Sequence, residues 1–212
     1  MDRISYLPDP IRSHIVSFLP FKDAIRTSIL SQQWRHVCSS LSNLDFRQIE
    51  HIKYDGREGV ERFKSIIDRT LILHDGLDIQ KFCLKIRLAE DDPIFLLHIN
   101  AWIIFALRHN VKKLDLDIVN LDEDLVQLQL PCALFTCPTL VSFTFYVVDL
   151  KFPAVIRFPV LKKLKLYEIT FPNEYLTDKL FSDCCCPMLN DLLIKYCYLQ
   201  NLTELNISLS CL

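Results

Sequence analysis

The sequence has too little glycine and too little net charge for several common classes of protein. Its three glycines are Gly56, Gly59 and Gly76. A phosphate-binding loop needs clustered glycines in front of a helix, so the Walker and dinucleotide-binding motifs are excluded. Lysine and arginine total 24 against 26 aspartates and glutamates, which leaves a formal charge of -2. A general nucleic-acid-binding protein needs a basic surplus, so nucleic acid is not among the expected partners.

The sequence also lacks a long uninterrupted apolar segment. The longest candidate, Pro93 to Leu107, contains His98 and Asn100, and it is shorter than the roughly 20 residues that span a bilayer. The first ten residues, MDRISYLPDP, carry charges and prolines where a signal peptide needs an apolar stretch. We therefore expect no membrane association and a cytoplasmic and/or nuclear location.

The nine cysteines do not form a pattern typical of a disulfide framework or a metal site. Their number is odd, and Cys184, Cys185 and Cys186 are adjacent, so we expect free thiols in a reducing compartment. With Cys197 the order is CCC-x10-C, and no histidine follows His109. A structural zinc site usually pairs its ligands at C-x2-4-C. We predict no metal, no cofactor and no catalytic cysteine, and we interpret cysteines that precede prolines as core residues.

The first 46 residues predict three short helices. Asp9 followed by Pro10 is typical of a helix cap and first helical residue, and Ile11, Ile15 and Phe18 then recur at helical spacing. A second helix is predicted between Lys22 and Leu30. A third helix, capped by Ser31, is indicated by an apolar stripe at helical spacing that consists of Trp34, Val37, Cys38 and Leu41.

These helices carry more apolar residues than such a small unit can bury. About 40 residues form only a marginal core, yet Leu7, Ile15, Leu19 and Trp34 are all apolar. Two interpretations are open. Some of these side chains face outward to a partner protein, or all of them pack on the domain that follows in the chain.

The segment from Ile4 to Phe46 resembles an F-box of the kind found in plant F-box/leucine-rich-repeat proteins of the FBD type. The resemblance is carried by LPD, Ile15, SFLP, KDA, RTSILS, WR and LDF within ISYLPDPIRSHIVSFLPFKDAIRTSILSQQWRHVCSSLSNLDF. Pro10 and Gln33 depart from the family pattern, in which an acidic and a basic residue are usual. It implies docking to the Skp-type adaptor of a cullin–RING (SCF) ubiquitin ligase. The adaptor-binding residues it implies are Leu7, Pro8, Ile11, Ile15, Leu19, Ser31 and Trp34.

Residues 48–110 predict a helical connector that includes a first repeat strand. Gly56 and Gly59 precede one candidate helix, and Gly76 stops it. Its expected buried stripe is Phe63, Ile66, Ile67, Thr70 and Leu71. A second helix is expected to begin at Asp92-Pro93, to bury Leu97, Ala101, Trp102 and Phe105, and to end at Asn110.

The remainder of the chain repeats an L-x-x-L-x-L pattern at irregular intervals. Such repeats stack so that each strand buries its leucines against the next. The units are Ile79/Phe82/Leu84, Val111/Leu114/Leu116, Leu140/Phe143/Phe145, Leu161/Leu164/Leu166, Leu189/Leu192/Ile194 and Leu202/Leu205/Ile207. We predict an α/β (α+β repeat) fold in which a three-helix F-box (1–47) and the connector (48–110) precede an irregular leucine-rich-repeat solenoid (111–212). We expect the repeats to be incomplete at the C-terminus.

Strand residues between the inward leucines are predicted to face the concave side of the repeats, where a ligand could bind. Along the chain they change from acidic through aromatic to basic, a pattern that could recognise a protein segment by charge and stacking. The alternative is that they are ordinary solvated side chains. The candidate substrate-binding residues are Asp115, Asp117, Tyr146, Lys163, Lys165, Tyr167 and Lys195.

The resemblance to F-box/leucine-rich-repeat proteins implies a non-catalytic substrate-receptor subunit of an SCF-type ubiquitin ligase. The F-box would dock the Skp adaptor, and the repeats would present an unknown protein substrate. The alternative is an interaction scaffold or a truncated isoform that does not support ubiquitination.

Overall fold

A computed structural model describes residues 6–28, 31–49, 56–88, 93–120, 129–147, 152–171, 180–182, 184–199 and 207. The chain divides into two compact units, Met1–Cys83 and Leu84–Leu212. The domain boundaries predicted from the sequence, after residues 47 and 110, do not coincide with the boundary between these two units. They stay predictions. None of the helices in these ranges is long and apolar enough to cross a bilayer.

The first unit begins with the three expected helices. They are α1 (Asp9–Ser17), α2 (Phe21–Thr27) and α3 (Gln32–Ser39). Helices α1 and α2 each begin one residue earlier than predicted, because Pro8 and Pro20 are the extended residues that precede them. Ser31 caps α3 as predicted, and its hydroxyl accepts a hydrogen bond from the Trp34 amide at 3.4 Å.

A small core holds the three helices together. Val16, Ala24, Trp34 and Val37 are buried in it, with Leu19 and Leu41 partly buried against them. Each helix contributes to this cluster, so burial of these side chains fixes the packing of all three.

Helix α2 also packs on the strand that follows the helices. Strand β1 (Asn43–Asp45) leads into a short 3-10 helix (Phe46–Ile49) and pairs in parallel with the start of β2 (Lys81–Leu88). The ring of Phe46 lies between those of Phe21 and Phe82, at centroid distances of 5.0 and 5.6 Å. Phe21, which was not among the four apolar residues considered from the sequence, thus packs on a later part of the chain.

The connector helix α4 (Gly56–Ile72) buries Phe63, Ile67 and Leu71. These residues belong to the predicted stripe. The start was predicted wrongly, since Gly56 and Gly59 lie inside the helix rather than before it. Gly76 follows the helix with φ +83°, a left-handed conformation that suits glycine, and it marks the predicted stop.

The second unit contains the rest of β2 and the elements that follow. They are α5 (Pro93–Arg108), β3 (Lys113–Asn120), a 3-10 helix (Cys132–Thr136), β4 (Ser142–Val147), β5 (Lys163–Tyr167), β6 (Thr170–Phe171), β7 (Asp191–Lys195) and β8 (Tyr198–Leu199). Asn110 adopts a positive φ of 53° just after α5 and ends it as predicted.

The buried face of α5 differs from the prediction. Leu97 is 68% exposed, and Ala101 is exposed, whereas Ile99, Trp102 and Ala106 are buried. The helix is apolar around much of its circumference, so the spacing of its apolar residues does not identify a single face.

Strands β3, β4, β5 and β7 form a parallel ladder in that order. One register row joins Leu114, Phe143, Leu164 and Leu192. A second joins Leu116, Phe145, Leu166 and Ile194. The repeat alignment made from the sequence is thus confirmed for these four units. The unit Leu202/Leu205/Ile207 lies outside the described residues except for Ile207.

Cysteines before the prolines are core residues, as predicted. Cys137 and Cys186 are 3% and 1% exposed, and Cys185 is also buried. Burial raises the pKa of the Cys186 thiol to about 12. Cys184 differs from its neighbours and is exposed.

Candidate protein-binding surfaces

Helix α1 and the residues beside it expose four large apolar side chains. Tyr6 is 87% exposed, Phe18 74%, Ile11 47% and Ile15 37%. We call these four residues the α1 surface. The opposite side of the helix supplies Arg12 and Val16 to the interior. Contiguous exposed apolar residues typically mark an interaction site.

The residues expected to bind an adaptor differ in how far the structure exposes them. Ile11 and Ile15 lie on the α1 surface, with Pro8 exposed and Leu7 half-buried before it. Leu19 is half-buried against the helical core, and Ser31 is the cap of α3.

The structure places Trp34 apart from the other expected adaptor-binding residues. Its side chain is 5% exposed and belongs to the core of the three helices, because Val16, Ala24 and Val37 enclose it. Trp34 therefore supports the packing of α1 rather than forming part of the exposed surface. Phe18 and Tyr6 were not among the expected binding residues, although Phe18 belongs to the apolar stripe visible in the sequence.

A buried arginine ties α1 to α3. Arg12 is 6% exposed. Its Nη1 donates a hydrogen bond of 2.8 Å to Oε1 of Gln33, and its Nη2 forms an ion pair with Asp9. The helix that presents the α1 surface is thus held by a polar contact as well as by the apolar core.

The second candidate surface is the side of the ladder opposite its buried leucines. One register row there joins Asp115, Thr144, Lys165 and Leu193. The next joins Asp117, Tyr146, Tyr167 and Lys195. We call these two rows, with Lys163 and Asp191 beside them, the strand surface. It brings together the seven residues selected from the sequence.

Aromatic rings occupy the middle of the strand surface. Tyr146 and Tyr167 stack with centroids 6.2 Å apart and planes inclined by 25°. The Tyr146 hydroxyl donates a hydrogen bond to Glu168, which raises the pKa of the phenol to about 12. Glu168 itself has a φ of 54°, so the chain turns directly after β5 at this position.

Charge on the strand surface differs from the expected acidic-to-basic order. Lys85 of β2 pairs with Asp117 at 3.6 Å, so the acidic end is partly neutralised. Lys163 pairs with Asp191 at 2.9 Å, and this hydrogen bond and charge lower the pKa of the Asp191 carboxyl. Lys165 and Lys195 form no ion pair within the described part of the chain.

Lys85 and Glu168 were missed as residues of this surface. The repeat alignment contained a signal for Lys85, since it follows Leu84 as Asp117 follows Leu116. No sequence pattern indicated Glu168, because its contact with Tyr146 depends on the turn after β5.

Comparison with known proteins agrees with both parts of the structure. The F-box domain model matches residues 4–46. The model of the LRR repeats of the FBD-associated F-box protein At5g56370 matches residues 99–212, more than half of the chain. The chain belongs to the F-box/LRR-repeat family. The α1 surface lies within the F-box match, and the strand surface lies within the repeat match.

Relatives of this F-box/LRR-repeat chain occur in Arabidopsis thaliana. The F-box/LRR-repeat protein At4g14103 is 35% identical over 200 residues, covering 91% of this chain and 49% of the relative. The FBD-associated F-box protein At4g10400 is 31% identical over 208 residues, covering 98% of this chain and 48% of the relative. The chain spans about half the length of the curated relatives it matches. No solved structure matches it.

Proposed function

We propose that this chain is a substrate-receptor subunit of an SCF-type ubiquitin ligase. Its F-box docks the Skp adaptor, and its repeats bind a protein substrate. The observation that carries the proposal is the exposed α1 surface inside the segment that matches the F-box. The proposed location is cytoplasmic and/or nuclear.

Apolar contact explains how the α1 surface could bind an adaptor. Ile11 and Ile15 lie on neighbouring turns of α1, Phe18 directly follows its last residue, and all three side chains are already exposed. Covering such side chains removes apolar area from water, which is the main favourable contribution to most protein association. Large side chains at the centre of an interface usually provide most of this energy.

The contribution of the chain to ubiquitination would be positional. Holding a substrate close to enzymes on the same assembly raises their effective concentration and reduces the entropy lost on encounter. No bond chemistry on this chain is needed for that role. Residues of the strand surface would hold the substrate, and other subunits would carry out the transfer.

A pull-down with a purified Skp adaptor tests the docking step. The variant Ile11→Asp/Ile15→Asp places two charges on the α1 surface, and we expect the affinity to fall by about ten-fold or more. The control Gln32→Asp adds a charge at an exposed position of α3 and should change affinity by less than about two-fold. Circular dichroism of each variant checks that the helices persist. Equal binding by both variants would contradict the proposal.

A ubiquitin-transfer assay tests the receptor role itself. The chain is reconstituted with adaptor, cullin and RING subunits, and modification of a protein bound to the repeats is measured. Modification that depends on the chain supports a receptor. Adaptor binding without any such modification would instead identify a non-catalytic scaffold.

A further inference from the structure

We propose that the strand surface binds an extended protein segment that carries aspartates or glutamates and an aromatic residue at alternate positions, at the corner formed by Lys165, Tyr167 and Lys195. This inference rests on the proposed function, because it names the class of segment that the receptor would select. We call these three residues the basic corner.

Charge pairing leaves the basic corner as the part of the strand surface that attracts an anion. Asp117 is paired with Lys85, and Asp191 is paired with Lys163. Lys165 and Lys195 have no ion pair within the residues that the structure describes, and the charge of Lys165 also contributes to lowering the pKa of Asp191. An acidic segment that crosses both lysines would therefore meet two positive charges without displacing an existing ion pair.

The basic corner has a fixed aromatic wall. Tyr167 stacks on Tyr146, and the Tyr146 hydroxyl is held by Glu168. Lys195 lies directly opposite Tyr167 on the neighbouring strand. A ring that is already restrained loses little freedom when it contacts a ligand, so stacking an aromatic side chain against it is favourable.

The ladder geometry sets the spacing of the acidic residues. Lys165 and Lys195 lie on adjacent strands and are offset by two residues. With strands about 4.8 Å apart and a rise of about 3.3 Å per residue, their Cα atoms are separated by about 8 Å. An extended peptide covers this distance in two to three residues. Alternate side chains of an extended peptide face the same side, so the expected motif has two acids and one aromatic residue at alternate positions.

The charge distribution favours a protein segment over a nucleic acid. Asp115, Asp117 and Asp191 lie on the same strand surface as the basic corner. A continuous phosphate backbone that crosses the strands would meet these carboxylates, whereas a short acidic motif can avoid them. The net charge of the chain is also -2, which gives no general attraction for nucleic acid.

Fluorescence polarisation with defined probes tests this inference on the full 212-residue chain. The probes are labelled peptides of equal length whose centre is Glu-Ser-Glu-Ser-Tyr, Gln-Ser-Gln-Ser-Tyr or Lys-Ser-Lys-Ser-Tyr, together with a labelled uridine oligonucleotide. We expect the glutamate peptide to bind about ten-fold more tightly than the glutamine peptide. We expect the lysine peptide to bind most weakly among the peptides. Equal binding of the three peptides, or tighter binding of the oligonucleotide, would overturn the inference.

Variants connect this binding to the basic corner. Lys165→Gln/Lys195→Gln should remove the preference for the glutamate peptide, whereas Lys162→Gln, at an exposed position before β5, should retain it. Loss of the preference in both would indicate non-specific attraction and contradict the inference. Adaptor pull-down of the same variants should be unchanged, since the α1 surface is intact. Peptide binding that fails while adaptor docking persists would reject the inference and leave the docking proposal standing.

Discussion

Single residues of the F-box segment divide into those that form its core and those available to a partner. Trp34 and Ile15 are both apolar and were both expected to contact an adaptor. Trp34 is 5% exposed, whereas Ile15 is 37% exposed. Substitutions at the two positions should therefore act differently: one should affect the packing of the helices, and the other should affect binding with the fold intact.

Trp34→Ala should destabilise the three-helix core. Removing a buried tryptophan leaves a cavity, and such changes cost about 3–5 kcal/mol. Hydrogen–deuterium exchange of α1 and α3 should become faster, and adaptor binding should fall as a consequence. The control Arg35→Ala changes the exposed neighbouring residue and should leave exchange unchanged. Lost adaptor binding with unaltered exchange would show instead that Trp34 contacts the adaptor directly.

Tyr146 should titrate late among the tyrosines. Its pKa is raised from 10.0 to about 12, chiefly by the hydrogen bond to Glu168. A tyrosine pKa that is higher in the folded state stabilises the fold fully below pH 10.0, and this stabilisation is lost as the pH rises through about 12. Tyrosinate absorbance should show a late component that Tyr146→Phe abolishes and Glu168→Gln shifts to lower pH. The control Tyr167→Phe should retain that component.

At the scale of single elements, the strands were more predictable than the helices. The leucine pattern located β3, β4 and β5 because each strand places alternate side chains in the same buried layer. It also located β7, which continues the register of β5 with Leu192 and Ile194 half-buried. Helix α5 was located correctly, but its buried side was not, since apolar residues surround most of it. The starts of α1 and α2 were predicted one residue late, because Pro8 and Pro20 rather than Asp9 and Phe21 are the extended residues before the helices.

The strand surface was only partly predictable for a related reason. Its seven candidate residues could be selected from the sequence because side chains within each strand alternate between the buried and the exposed side. The pairing of Lys85 with Asp117 depends on which residues of neighbouring strands lie opposite each other. That register is determined by the whole ladder, so the charge left on the surface became visible only with the structure.

Leu164→Asp should disrupt the ladder. Leu164 is 1% exposed and lies between Phe143 and Leu192 in the buried row. An ionised carboxylate there would have no partner, and burying one costs several kcal/mol. Circular dichroism should show loss of strand signal or aggregation. The control Asn190→Asp adds one negative charge at an exposed position before β7. A soluble Leu164→Asp protein with a native spectrum would contradict the burial of this residue.

At the scale of the whole molecule, the first compact unit extends well past the F-box match. The match ends at residue 46, whereas the unit continues to Cys83. Phe46 explains the difference, because its ring packs between Phe21 of α2 and Phe82 of β2. The helical segment thus completes its packing with residues that lie more than thirty positions further along the chain.

A fragment of residues 1–83 should therefore be more stable than one of residues 1–47. The shorter fragment lacks both Phe82 and the strand that pairs with β1, and about 40 residues bury too little apolar area for comfortable stability. Thermal melting followed by circular dichroism should be cooperative for 1–83 and broad for 1–47. Phe82→Ala in 1–83 should lower its melting temperature, whereas Gln80→Ala, at an exposed position, should not. Equal melting of the two fragments would mean that the three helices are stable without the aromatic contact, so that the F-box rather than the longer unit is the independent folding unit.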